Sequence, residues 1–396
     1  MEPVQRGRRV CGGLGALAIV LTAGAAGCNA QPAVPGAAPL ELIWTEVALP
    51  HDLIPVTLAI SGSSVLVGAR AQQRPVPRLL AGPSPTDLQE LPLMPRSPYA
   101  FEATWLAVAT RGRQIVAVSG ARGGAHANYR WSTWSGTADG VAEQEQPFGV
   151  FGGYGAGDLV GVAFAGDSPV ILGSWQSEGT GLDITTWHRT GERWNRQPAT
   201  GTALASTPAE LLSATAIAST GDVDADGGDD GLVLSGSVTR LGQGSVRVDP
   251  AVWVAPAASG PWQRVDLPGL TGSAISEAHA TSCRPRGCTV VGASAGRLVV
   301  WRLEGTKAIQ RGAVPVVTLA DGGRALPPVH LSAHEVVLAP GDDRTVVVQF
   351  SGERGEDWAV QDGPRGTPVS AVVHDDDVLL VTRDAAGVGH LWRGDH

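Results

Sequence analysis

The segment GDVDADGGDDG spaces Asp222, Asp224, Asp226 and Asp230 around Gly227. Acids at this spacing turn several hard oxygens toward one centre, Gly227 permits a sharp reversal, and the Gly228 carbonyl supplies a further ligand. Such a donor set suits one calcium ion. Its expected role is structural: it would neutralise the acids and fix the turn, and no neighbouring motif offers an open coordination position. Cys283 and Cys288 flank four residues in SCRPRGC, which predicts a disulfide across a hairpin in an oxidising compartment. A redox pair would have two intervening residues, and zinc would need further Cys or His ligands. The other two cysteines, Cys11 and Cys28, lie in the first 28 residues, so no thiol nucleophile is left over.

Catalytic signatures are sparse. The nine histidines form no HExxH, and glycine–serine turns such as Gly62-Ser63-Ser64 offer only fragments of a nucleophile elbow. The acidic segment is not an EF-hand, whose twelfth position needs an acid and is Val233 here. Its spacing resembles the short calcium loops of FG-GAP blades in integrin-type propellers. That resemblance implies a position in the turn between the first and second strands of a blade, although this chain has one such loop where the family usually carries several. Ser351-Gly352-Glu353-Arg354-Gly355-Glu356-Asp357-Trp358 resembles the Asp-box of sialidases with Glu in place of Asp. It implies an alternative function, a sialidase-like glycoside hydrolase. That activity would need an arginine triad and a tyrosine nucleophile. The chain has only Tyr99, Tyr129 and Tyr154, of which Tyr129 beside Arg130 is the best placed.

The elements that must carry these residues are short strands. With 53 Gly, 28 Pro, 12 Trp and 17% charged residues, the composition favours many turns over helices. One phrase recurs past residue 41: an apolar run, a polar turn, a second apolar run, then a strand with Trp. It begins at Val56, Trp105, Leu159, Ser213, Ser273, Leu331 and Val369. Repeats of this length predict the blades of an all-β propeller, seven by this count. The sixth copy is the weakest, because only SGERGEDWAVQDGPRG separates its second strand from the next repeat. Six blades is the alternative.

The third strand of each repeat is expected to place Trp131 or Trp134, Trp187, Trp253, Trp301, Trp358 and Trp392 between sheets, where such a ring can bury about 150 Å² or more. After Trp392 the chain stops at His396 with no fourth strand. WTEVALP from Trp44 to Pro50, however, repeats the W-x-x-V-x-L-P of WQRVDLP from Trp262 to Pro268. The N-terminal segment is therefore expected to supply the outer strand of the last blade and close the ring.

Residues 1–27 carry Arg6, Arg8 and Arg9 and then an apolar stretch to Ala26, the pattern of a signal peptide. Ala25-Ala26-Gly27 before Cys28 resembles a bacterial lipobox, which implies acylation of Cys28 and a lipid anchor. An ordinary cleaved signal is the alternative. Residues 28–40 read as a Pro/Ala tether and 41–396 as the propeller. The formal net charge of -9 disfavours nucleic acid and electrostatic membrane docking. The expected function is a non-catalytic binding or scaffolding module, monomeric and extracytoplasmic, held to the membrane through its lipid alone. Its ligand is an unidentified protein or glycan.

Overall fold

A computed structural model describes residues 5–6, 39–123, 128–221, 231–242, 244–269, 275–285, 287–312, 314–331, 334–351 and 357–396. The described residues form seven sheets in a ring, a seven-bladed β-propeller whose successive blade strands are antiparallel; the short strand Leu93–Met94 joins the edge of blade two in parallel. Blade one comprises Ile54–Ser61, Ser64–Arg70, Pro77–Ser84 and Asp87–Glu90. Blade two comprises Thr104–Arg111, Gln114–Gly123, Asn128–Thr137 and Gly140–Gln144. Blade three comprises Ala156–Ala165, Ser168–Gln176, Leu182–Thr190 and Arg193–Arg196. Blade four comprises Glu210–Ser219, Leu232–Gly242, Ser245–Ala255 and Gln263–Asp266, and blade five Ser276–Arg284, Gly287–Ser294, Arg297–Glu304 and Lys307–Gln310.

The first strands of six blades carry a register shift at a common position, between Pro55 and Thr57 in blade one and between Ala278 and Ala280 in blade five, for example. A bulge there pushes the first strand toward its partner. The recurring glycine of the second strand answers it. A Cβ on Gly236 would lie 1.9 Å from the Ser213 carbonyl oxygen, and one on Gly292 would lie 2.0 Å from that of Glu277.

The ring closes through the predicted pairing. Ile43–Val47 lies antiparallel to Gly389–Asp395, with Trp44 opposite Gly394 and Glu46 opposite Trp392, and completes blade seven beside Thr367–His374 and Asp377–Arg383. Two glutamines of blade six hold the entering chain. The Gln349 amide donates to the Leu40 carbonyl at 2.7 Å and accepts from its N–H at 2.9 Å, and Gln361 does the same for Leu42 at 3.2 and 3.3 Å. Neighbouring first strands are also tied around the channel. The Leu58 N–H donates to Ser370 Oγ, Thr110 to the Ile60 carbonyl, Ser219 to that of Phe164, and Thr215 to that of Ala278.

Blade six differs from its sequence reading. Its first strand is only Val329–Leu331, followed by His334–Pro340, Arg344–Ser351 and Asp357–Arg365. The run predicted to open the blade at Leu331 is thus mostly its second strand, and Trp358 sits on the fourth strand instead of the third. Phe350, 1% exposed, takes the packing place of the missing tryptophan. Elsewhere the prediction holds: Trp134, Trp187, Trp253 and Trp301 are fully buried on third strands. A two-residue strand, Gln5–Arg6, pairs with the outer edge of blade six.

Since strands alternate in direction, first-to-second and third-to-fourth turns share one face, the hairpin face. Second-to-third turns and blade-to-blade connections share the other, the connection face. The two differ in character. Exposed Phe101, Phe148, Tyr154, Ile275 and Val316 lie in blade-to-blade connections, and Leu182, Leu241 and Val246 lie beside second-to-third turns, all on the connection face.

Candidate binding cleft

In every blade but the sixth the fourth strand is shorter than the third, which leaves the start of the third strand without an outer neighbour in its own sheet. In blade three the next connection covers it, the Ile184 N–H bonding to the Leu204 carbonyl. In blade five the Leu298 N–H bonds likewise to Val317. Blade two is left open. Its fourth strand pairs with Thr133–Thr137 on one side and, in parallel, with Leu93–Met94 on the other, and among the described residues no backbone bond from the following connection reaches Tyr129, Arg130 or Trp131. A cleft of about 690 Å³ opens there, walled by these residues, by Ser97–Tyr99 from the preceding connection and by Pro147–Gly152 from the following one.

Its walls are fixed from behind. Glu143, 3% exposed, accepts from the N–H groups of Arg96 and Ser97 at 2.6 and 2.7 Å and from the Ser97 hydroxyl at 2.6 Å. That carboxylate is saturated by the chain that carries Tyr99. On the other side Gln146 donates to the Glu192 carbonyl at 2.8 Å and accepts from the Trp194 N–H at 3.0 Å, and the Trp187 indole donates to the Val150 carbonyl. Phe151 packs on Trp187, ring centroids 5.6 Å apart.

Tyr129 and Trp131, two residues apart on one strand face, stack at 4.4 Å with 36° between planes. Both rings occupy the space over Gly120, where a Cβ would lie 2.2 Å from Tyr129. Arg130 lies 4.2 Å over the Phe148 ring and 5.8 Å from that of Tyr99, a favourable placement for a cation. Among the described residues no carboxylate pairs with it, and Arg193 stands at the rim. Tyr129 likewise meets no carboxylate base here; its cationic neighbour is Arg122 at 5.5 Å. Tyr154 is 95% exposed and outside the cleft.

Of the sequence-predicted sites, Cys283 and Cys288 are disulfide-bonded across the first hairpin of blade five. Asp222, Asp224, Asp226, Gly228 and Asp230 lie outside the described residues, as does Cys28. In the Asp-box-like segment, residues 352–356 lie outside them too. Ser351 and Asp357 pair at its ends, so the segment spans the third-to-fourth turn of blade six. One motif escaped the sequence reading. Gly292-Ala293-Ser294-Ala295-Gly296 has the full G-x-S-x-G spacing. It sits at a strand-to-strand hairpin, however, and Ser294 is fully buried with its Oγ 2.7 Å from that of Ser276, so it is no exposed nucleophile.

A second polar cluster lies between blades five and six. Ser282 Oγ is 3.2 Å from His330 Nε2, and His330 Nδ1 is 3.9 Å from Glu335. This order of residues suggests a hydrolytic relay, but the second step is too long for a hydrogen bond. The Glu335 carboxylate is instead taken by Arg311, which lies 4.8 Å over the Phe350 ring. Burial, opposed by Glu335, pushes the His330 imidazole down to about 4. The cluster is a structural seam.

No family model and no curated protein matches the chain. Solved structures resemble it in fold. The β-propeller domain of Cps50 (Swd1) from Myceliophteria thermophila aligns with a TM-score of 0.51 at 8% identity, over 89% of this chain and all of that one. A Hadza microbial sialidase aligns at 0.49 and 10%, over 84% and 74%. Trypanosoma rangeli sialidase aligns at 0.44 and 11%, over 86% of this chain; the present chain spans only 54% of that enzyme. What they share with it is the fold.

The sequence reading named Tyr99, Tyr129 and Arg130 only as candidates for another chemistry and did not bring Trp131, Phe148 or Arg193 to them. The available signal was local: Y-R-W on a strand whose outer partner is half its length.

Proposed function

We propose that this protein is an extracytoplasmic, lipid-anchored binding module that holds its ligand in the cleft between blades two and three and does not turn it over. The observation that supports this is the uncovered half of the third strand of blade two, with an aromatic pair and a guanidinium that has no anionic partner among the described residues. Largely pre-formed, mostly apolar clefts with a few placed polar groups are the usual form of ligand sites. Ile43, where the closing strand starts, lies opposite Asp395 at the hairpin-face end of blade seven. A tether from Cys28 would therefore leave by the hairpin face and present the cleft away from the membrane.

The reading is tested with arrays of cell-envelope glycans and peptides probed by the parent protein and by Phe148→Ala, whose ring is 54% exposed. A ligand retained by the parent and lost by the variant is the expected result. Absence of any ligand sensitive to the variant would reject the cleft, and steady release of fluorophore from glycosides would replace binding by the sialidase-like alternative.

The calcium loop belongs to the same proposal as a structural device on the hairpin face. Calcium should raise the melting temperature of the parent, and Asp224→Ala should abolish that rise; a parent indifferent to calcium and to chelator would remove the ion from the proposal.

A further inference from the structure

Resting on the cleft reading above, we infer that the ligand is a sugar ring bearing a carboxylate. The chemistry follows from what the cleft leaves unpaired. The Arg130 guanidinium carbon lies 4.2 Å over the Phe148 ring, a contact that uses none of its N–H donors. A planar fork of donors matches a carboxylate in two-pronged fashion better than any neutral acceptor. No carboxylate of the described chain occupies that place. Glu143, the nearest buried one, already accepts three hydrogen bonds from Arg96 and Ser97.

The rest of the ligand is read from the other lining groups. Tyr129 and Trp131, stacked with ring centroids 4.4 Å apart, give the wall an aromatic, apolar stretch against which the C–H groups of a pyranose can pack. Gln144, Glu145 and Gln146 also line the cleft and offer acceptors for hydroxyl donors. The Gln144 side-chain oxygen has no hydrogen-bond partner among the described residues. A cavity of about 690 Å³ falls within the range of sites that enclose one small ligand. Aromatic rings, acceptors and the guanidinium of Arg130, which has no carboxylate partner among the described residues, are the complement of an acidic sugar. An extended peptide would use the open strand edge and needs neither the rings nor the acceptors.

The probes are tetragalacturonate, a hyaluronan tetrasaccharide and sialyllactose, each titrated into the full folded protein beside its own methyl ester and followed by tryptophan fluorescence. Esterification keeps every ring and hydroxyl and removes only the charge. At least one acid should bind about tenfold or more tighter than its ester. Arg130→Gln should erase that preference while Phe148→Ala weakens both forms, with melting temperatures unchanged. Should Arg130→Gln not fold, the acid–ester ratio of the parent decides alone. Equal affinity of acid and ester for all three probes overturns the inference. A neutral sugar or a peptide that binds and is lost in Phe148→Ala would also overturn it while keeping the cleft as the binding surface. No binding by any probe, together with silent arrays, overturns both.

Discussion

Between blades two and three Arg130 lies 4.2 Å over Phe148 with no carboxylate beside it among the described residues, whereas between blades five and six Arg311 lies 4.8 Å over Phe350 and pairs with Glu335. The same two residue types meet at both junctions. What differs is closure. In blade five the connection bonds across the uncovered third strand and brings Arg311 into the gap, its N–H bonding to the Val300 carbonyl. In blade two the connection stands away and leaves a cleft. A guanidinium neutralised by its own chain cements two blades, and one left without an anion is available to something outside the chain. The assignment of function to one junction and of structure to the other therefore rests on the presence of a partner and not on residue type.

The largest effect should come from breaking the closed junction. The Arg311 and Glu335 side chains are only 10% and 12% exposed, and two of the Arg311 nitrogens, Nε and Nη1, have no acceptor among the described residues. Glu335→Ala would leave a buried cation with no anion, at a cost of about 3–5 kcal/mol. The double variant Arg311→Met, Glu335→Leu should recover most of that loss, since an ion pair with unmet hydrogen bonds contributes little net stability. Arg130→Met should cost less than about 1 kcal/mol. Urea unfolding of the four proteins checks all three statements; equal losses at the two arginines would erase the distinction between the junctions.

How far this contrast could be read from the sequence depends on which features are local. The ring was legible because its signals repeat. The tryptophans recur on third strands, the second-strand glycines recur opposite first-strand bulges, and W-x-x-V-x-L-P occurs once inside the chain and once at its start. The Cys283–Cys288 pairing was legible from a spacing of one hairpin. Blade six was misread because its first strand has three residues and Phe350 stands where a tryptophan was sought. The cleft was not legible at all, since it depends on a length mismatch between Asn128–Thr137 and Gly140–Gln144 and on two connections, about fifty residues apart, meeting over the uncovered half. The seam was hidden for the same reason: Ser282, His330 and Arg311 belong to three separate segments.

The next effect separates the junctions by pH. His330 in the seam is pushed down to about 4, chiefly by burial, against an ordinary value near 6.5. A depressed histidine costs nothing above its unfolded value, where it is neutral in both states. As pH falls from about 6.5 toward 4 the unfolded chain takes up the proton first, and folding loses stability. With the ring largely buried, the loss is on the order of 3 kcal/mol by pH 4. His279, 5% exposed and also pushed down to about 4 by burial, adds a similar term. His330→Gln, which can keep the bond to Ser282, should flatten the fall in unfolding free energy between about pH 6.5 and 4 by roughly half. An unchanged slope would mean that the seam is wet, and the contrast with the open cleft would weaken.

The smallest effect has the opposite sign and belongs to a third junction, where the two chain ends meet. His390 in blade seven has Nδ1 2.7 Å from Glu46 on the closing strand and Nε2 3.4 Å from Asp384. The hydrogen bond to Glu46, with that to Asp384, raises its pKa against partial burial, which lowers it. A raised histidine contributes stability that is whole below the unfolded value near 6.5 and is lost as pH climbs through the folded value. Its side chain is 33% exposed and that of Glu46 53%, so solvent screens the pair and its contribution should stay below about 1 kcal/mol. A change that small is better sought locally than in the global melt. Raising pH from about 6 to 8.5 should lower the protection of the Ile43–Val47 amides relative to their intrinsic exchange rates, selectively for that strand, and His390→Gln should give the lower protection at both values. Equal protection in the parent at the two pH values would show that the backbone pairing and the Gln349 and Gln361 clasp hold the ring closed without the imidazole. The junction would then join the seam between blades five and six as one closed by its own chain at every pH, leaving the cleft as the place where an interblade charge awaits a partner.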